Sequence, residues 1–197
     1  MKLSYPILFK NDKLILKKGA VSAPVQIHEG EEIKNFFKNP KIASLEKKLY
    51  SIYRDVCFTK DRFLFEKNHL RYDITMILPE LVGMEFNRTI GHFHQRPVPE
   101  IYEVLKGKAL FLFQNKKADK IYLVKAGIGQ KVIVPPGFGH ITINRGAKIL
   151  IIANIVNDNV KSKYEYLKKH RGLAYYFYKS KKSKDIFIEQ NSNYKKT

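Results

Sequence analysis

From Leu70 to Ile155 the chain is cut into short apolar or alternating runs by Pro79, Gly83, Gly91, Gly107, Gly129 and the cluster Pro135, Pro136, Gly137. Interruptions this close leave little room for helices of ordinary length, and alternation with period 2 buries one face of a strand. The runs predict strands over 61–66, 70–77, 102–113 (bent at Gly107), 121–124, 131–134, 139–144 and 149–155, with 86–93 leading into the middle of the series. Turns are expected at 78–84, at 126–129 and in a polar hairpin at 115–120. Many short strands joined by Gly and Pro turns specify a sandwich or closed barrel, so the chain reads as all-β.

Inside this series lies GHFHQRPVPEIYEVLKG, residues 91–107. In an extended strand, residues i and i+2 face the same way, so His92 and His94 present both imidazoles to one side. By the same parity Glu100, Tyr102 and Val104 share one face of the next strand, and Ile101, Glu103 and Leu105 share the other. A third imidazole comes from His140, which follows the 135–137 turn and opens a strand with Thr142 and Asn144 at the same parity. Imidazoles with one carboxylate suit iron, nickel, zinc or manganese, and three or four such ligands leave positions open for a substrate. A closed, thiolate-rich structural zinc site does not fit a chain with one cysteine, Cys57.

At 197 residues, 44% hydrophobic and 28% charged, the composition is that of one globular domain. The formal charge of +19 draws in anions of any kind, and sign alone does not choose among phosphorylated metabolites, nucleic acid and acidic membranes. A lone cysteine excludes an intrachain disulfide, no run reaches transmembrane length, and the start lacks a secretory core, so a cytoplasmic location with no membrane partner is expected.

Ahead of the strand series, 2–9 and 13–17 read as two short strands around a 9–12 turn, and 29–37 holds a possible helical turn. His28 has no ligand-spaced partner and reads as a surface loop histidine, and His69 reads as an ordinary turn residue. Asn39 and Pro40 suit an N-cap and first helical position, while 49–56 fits either a helix or a strand. Past Asn157 the chain turns lysine and tyrosine rich, with a short helix expected to His170, a strand over 173–178 and frayed last residues. Basic residues interleaved with aromatics can bind single-stranded nucleic acid, but a solvated lysine face over packed tyrosines is the preferred reading.

The polar positions reproduce the two cupin motifs. The first, H-x-H, a spacer, E, six residues and G, is found as His92, His94, Glu100 and Gly107, with a spacer longer than the commonest version. The second, G, five residues, P-x-G, two residues, H, three residues and N, is found as Gly129, Pro135, Gly137, His140 and Asn144. Over roughly 50–153 the stretches YDITMILPELVGMEFNRTIGHFH, EIYEVLKGKALFLFQ and VIVPPGFGHITIN resemble the cupin-type glucose-6-phosphate isomerases of archaea and some bacteria.

That resemblance implies a single-domain cupin jelly roll, or double-stranded β-helix, with short N- and C-terminal helical additions. It divides the chain into flanking strands and a helix at 1–48, a barrel at 49–157 and a basic extension at 158–197, with a helix to about Lys48 and then a strand carrying Tyr50. It implies one divalent metal ion per chain, iron first and nickel, manganese or zinc after it, held by His92, His94, Glu100 and His140. It further implies catalysis by Glu100 and Tyr102, phosphate contacts from Tyr50, Thr75, Thr89 and Gly91, a hexose-phosphate substrate and a homodimer, with a hydride shift left open beside proton transfer. In the family a tyrosine ends the last barrel strand and a histidine follows an Asp, whereas this chain has Ile155 near the first and Lys161 or Ser162 near the second. Lys161 or Lys163 is a candidate replacement contact for phosphate. A cupin dioxygenase and a non-catalytic sugar-phosphate-binding cupin are the competing functions, and nucleic acid ranks last among partners.

Overall fold

The computed structural model describes residues 5–10, 13–180 and 186–194. Two antiparallel sheets carry the fold. The larger runs in the order Lys131–Val134, Glu100–Lys106, Leu150–Asn157, Leu70–Ile77, Tyr50–Tyr53, Gln26–His28. The smaller runs Ile121–Gly127, Lys108–Gln114, Gly139–Asn144, and its far edge takes two isolated bridges, Arg88↔Ile143 and His92↔His140. Along the chain, 70–77, 100–106, 131–134 and 150–157 fall in the first sheet, and 88–92, 108–114, 121–127 and 139–144 in the second. That alternation between facing sheets is jelly-roll topology.

Residue parity decides what each strand buries. On Glu100–Lys106, Glu100, Tyr102 and Val104 are buried while Ile101 is exposed, as the alternation predicts. Gly107 then turns the chain at φ +91°, and a Cβ there would lie 2.9 Å from the Ile149 carbonyl oxygen, so the close approach requires glycine. One apolar cluster fills the space between the sheets and extends into both flanks, taking in Phe36, Phe37, Phe111, Ile152, Leu167 and Phe177. A second cluster lies outside the large sheet, where Ile7 of the Ile7–Lys10/Lys13–Leu16 hairpin packs with Ile74, Met76 and Ile151.

The N-terminal expectations at 2–4 and the turn residues 11 and 12 lie outside the described residues, as do the last residues, 195–197. Asn39 caps the Pro40–Ala43 helix, its Oδ1 accepting from the Lys41 and Ile42 amides, but the helix ends there and does not reach Lys48. The ambiguous stretch after it resolves as the Tyr50–Tyr53 strand. Residues 61–66, expected as a strand, form the Arg62–Lys67 helix instead. RFLFEK has no β-branched residue, its alternation is two phenylalanines around Leu64, and Asn68 closes the helix through Nδ2 to the Leu64 carbonyl. The expected C-terminal strand is Tyr175–Lys179, and it pairs with Ile186–Gln190, a strand the sequence reading did not find. Among the described residues no helix is long and apolar enough to cross a membrane.

Candidate metal centre

His92 and His140 face each other across a backbone pair, the His92 amide donating to the His140 carbonyl at 3.3 Å and the His140 amide to the His92 carbonyl at 3.1 Å. This fixes their rings with centroids 4.4 Å apart, and His94 follows two residues on with its ring 5.1 Å from His92. Gly91 makes the approach possible. It sits at φ +75°, and a Cβ would fall 2.4 Å from the His140 carbonyl oxygen and 2.3 Å from Ile141 Cγ2. Glu100 reaches in from the other sheet, with Oε2 3.2 Å from His94 Nε2 and 3.1 Å from His140 Nε2.

One ligating atom from each of His92, His94, Glu100 and His140 lies within 4.8 Å of the others. Donors bound at about 2.0–2.2 Å to one first-row cation would sit about 3–4 Å apart, a spacing that the 3.1 and 3.2 Å pairs already have and that the 4.8 Å bound exceeds by about an ångström. Two further observations fit a cation. The His94 Nδ1 lies 3.3 Å from the Val98 carbonyl oxygen, which makes Nδ1 the protonated nitrogen and leaves the Nε2 lone pair facing Glu100. Glu100 Oε2 is buried and receives no hydrogen bond, while Oε1 accepts from Asn154 Nδ2 at 2.6 Å. Converging lone pairs around an unsatisfied carboxylate oxygen are the donor chemistry of a divalent-metal site.

The electrostatics agree. Burial pushes the Glu100 carboxyl up, but the adjoining His140 and His94 outweigh it and hold the group well below the usual carboxylate range. Burial, reinforced by His140, holds His92 well below the usual imidazole range, so the ring is neutral and able to ligate. Burial and then the Glu100 charge push the Tyr102 phenol well up, and its hydroxyl lies 3.2 Å from His140 Nε2.

The cluster lies in the wall of a cavity also lined by Tyr50, Thr75, Thr89, Gly91 and Tyr102, so the structure brings together every position assigned from the sequence to metal, catalysis or phosphate. Thr142 and Asn144 do not line it. Asn144 instead donates from Nδ2 to the Ile77, Leu78 and Lys148 carbonyls and ties the strand end to its neighbours. Ile155 points away from the cavity and is 41% exposed, because the inward residues of its strand are Asn154 and Val156. Lys161 and Lys163 are likewise exposed, and Ser162 and Tyr164 face inward in their place. Pairing of Ser162–Lys163 with Phe93–His94 sets that parity.

Among the cavity residues that escaped the sequence reading, one histidine and three charged residues stand out. His28 is not a loop histidine: it ends a strand, stacks on Tyr50 at 4.3 Å and lines the cavity. Its missing ligand partner hid it, since its partners are a ring and Glu32, whose carboxylate lies 3.3 Å away. Arg54, Arg71 and Asp73 form an ion-paired group on the same wall. The signal was present for two of them, because Arg71 and Asp73 share parity with Thr75 on one strand.

The sequence model of a family described as Glucose-6-phosphate isomerase (GPI) matches residues 33–195. The glucose-6-phosphate isomerase of Thermococcus kodakarensis is 34% identical over 104 residues, 52% of this chain and 54% of that protein. That of Pyrococcus horikoshii is 35% identical over 91 residues, 46% of this chain and 48% of that protein. The chain spans about half the length of the curated relatives it matches. Among solved structures, oxalate decarboxylase from Bacillus subtilis overlaps 60% of this chain and 29% of its own at 19% identity, with a TM-score of 0.43, too loose to bear on this chain.

Proposed function

The chain belongs to the glucose-6-phosphate isomerase family, and we propose that it is a metal-dependent isomerase interconverting glucose 6-phosphate and fructose 6-phosphate. The observation that carries this reading is the convergence of His92, His94, Glu100 and His140 in one cavity wall with Tyr102 beside them. A divalent cation held by those four residues would supply Lewis-acid polarisation of the sugar carbonyl. The donor set supports iron as the resident ion, with nickel, manganese or zinc as competitors.

Aldose–ketose exchange moves one proton between adjacent carbons and another between their oxygens. Glu100 is the proposed carrier of the first. Its carboxyl stays ionised, and the Asn154 hydrogen bond on Oε1 fixes its direction. Tyr102, kept protonated by burial, is the proposed donor to the sugar oxygens. Tyr50, Thr75 and Thr89 offer hydroxyl donors to the phosphate, and Gly91 allows close backbone approach. A hydride shift between the carbons would need no carrier at Glu100, and incorporation of solvent deuterium into the product separates the routes.

Purified protein supplied with ferrous iron, nickel or manganese is expected to convert fructose 6-phosphate, and to lose that activity with a chelator or on His140→Ala. Absence of turnover with all of these metals would discard the proposal. Sugar-phosphate binding without turnover is a second reading, favoured by one observation: the cavity-facing residues past Asn154 include apolar Val156 and Val160.

A cytoplasmic site of action is proposed on the single, buried, unpaired Cys57. The homodimer is proposed on an apolar row across the outer face of the large sheet, where exposed Ile133, Ile101 and Ile155 are register partners. A wild-type chain that sediments as a monomer would reject it.

A further inference from the structure

We propose, resting on the sugar-phosphate reading above, that Arg54 and Arg71 form a guanidinium clamp that supplies the positive charge for the substrate's phosphate. Among the described residues lining the cavity they are the only lysine or arginine side chains, since Lys161 and Lys163 lie outside it. The hydroxyls of Tyr50, Thr75 and Thr89 can orient a phosphate but bring no charge, and a doubly charged anion in a half-enclosed cavity needs compensation.

The clamp is built in advance of any ligand. Asp73, 2% exposed, accepts from Arg54 Nη1 at 3.1 Å, from Arg71 Nε at 3.0 and 2.9 Å, and from the Asp55 amide at 3.0 Å. Arg54 Nε donates to Gln26 Oε1 at 3.0 Å. One carboxylate balances one of the two guanidiniums, so the group keeps a net positive charge. The Arg71 contacts to Asp73 use Nε alone, which leaves its terminal nitrogens for a bidentate contact with an oxyanion.

Position also fits. Asp73 is the register partner of Asn154, and Asn154 of Tyr102, so the clamp stands two strands from the proposed catalytic phenol, about 10 Å at the usual strand spacing. Thr75, one of the proposed phosphate contacts, stands two residues on from Asp73 at the same parity, so the clamp and that hydroxyl share one wall of the cavity. Among the described residues no hydrogen bond or ion pair joins the clamp to the cluster, so it is a specificity element separate from the proposed metal ligands.

The test uses metal-loaded full-length protein with Arg54→Met, Arg71→Met and the double substitution, beside Arg71→Lys. Each Met variant is expected to raise KM for fructose 6-phosphate about 10- to 100-fold, the worth of a hydrogen bond to a charged group. It should weaken inhibition by inorganic phosphate in proportion and leave metal content unchanged, with partial recovery in Arg71→Lys. A double variant whose KM and phosphate inhibition stay within about twofold of wild type overturns the clamp. If wild-type protein has no isomerase activity, calorimetry with fructose 6-phosphate and with fructose decides alone. Phosphate-dependent binding lost in the Met variants keeps the clamp while the isomerase reading fails, and wild-type binding that ignores the phosphate overturns the clamp.

Discussion

Replacing Asn154 by leucine isolates how the acid of the cluster is held. Asn154 Nδ2 donates to Glu100 Oε1 at 2.6 Å, and the two residues are 6% and 3% exposed. Leucine has nearly the outline of asparagine but no donor, and it leaves no space for a replacing water. The lost bond is of the charge-assisted kind, about 1.5–3 kcal/mol. At about 1.4 kcal/mol per tenfold in affinity, binding of a divalent ion is expected to weaken about 10- to 100-fold, in line with what loss of an orienting partner costs a metal site. Competition against a chromogenic chelator at neutral pH, using manganese as the probe, reads the change directly. Circular dichroism and the urea midpoint test whether the fold persists. An affinity within about twofold of wild type, in a folded variant, would refute the view that Asn154 holds Glu100 for the ion.

Two further outcomes are expected. Burial holds His92 well below its ordinary range, and burial outweighs Glu32 to lower His28 as well. The unfolded chain therefore takes up these protons first, and the stability contributed by the neutral rings is full above about pH 6.5 and lost as pH falls, by up to about 1.4 kcal/mol per pH unit per ring. Urea midpoints of metal-free protein should drop between about pH 7.5 and 5, and equal midpoints would contradict the buried neutral state. Gly91→Ala combines a left-handed backbone with a Cβ 2.3 Å from Ile141 Cγ2, so a loss of about 2–5 kcal/mol is expected from urea unfolding. An unchanged midpoint would mean that Gly91 does not press against the His140 strand.

The barrel was legible because its strands announce their two faces. Leu70–Ile77, Lys131–Val134 and Gly139–Asn144 begin and end where alternation and turn residues place them. The convergence of His92, His94, Glu100 and His140 was legible for the same reason, since each is tied by parity to an extended segment near a glycine turn. Legibility failed where local pattern was short or parity ambiguous. RFLFEK offers too few residues to separate the two periods, and a one-residue choice of parity placed Ile155 where Asn154 and Val156 face inward. The Arg54–Asp73–Arg71 group draws its meaning from strands distant in sequence, and no spacing rule joins Arg54 to the other two.

The segment bearing His92 joins the small sheet through two isolated bridges, whereas every other strand of that sheet is held along its full length. An ion gripping His92, His94 and His140 together with Glu100 would thus act as a rivet, fastening the loosest edge of one sheet to the strand beside the edge of the other. Binding the ion and closing that edge would then be linked, so a bound cation would stabilise the barrel by the same contacts that prepare the cavity for chemistry.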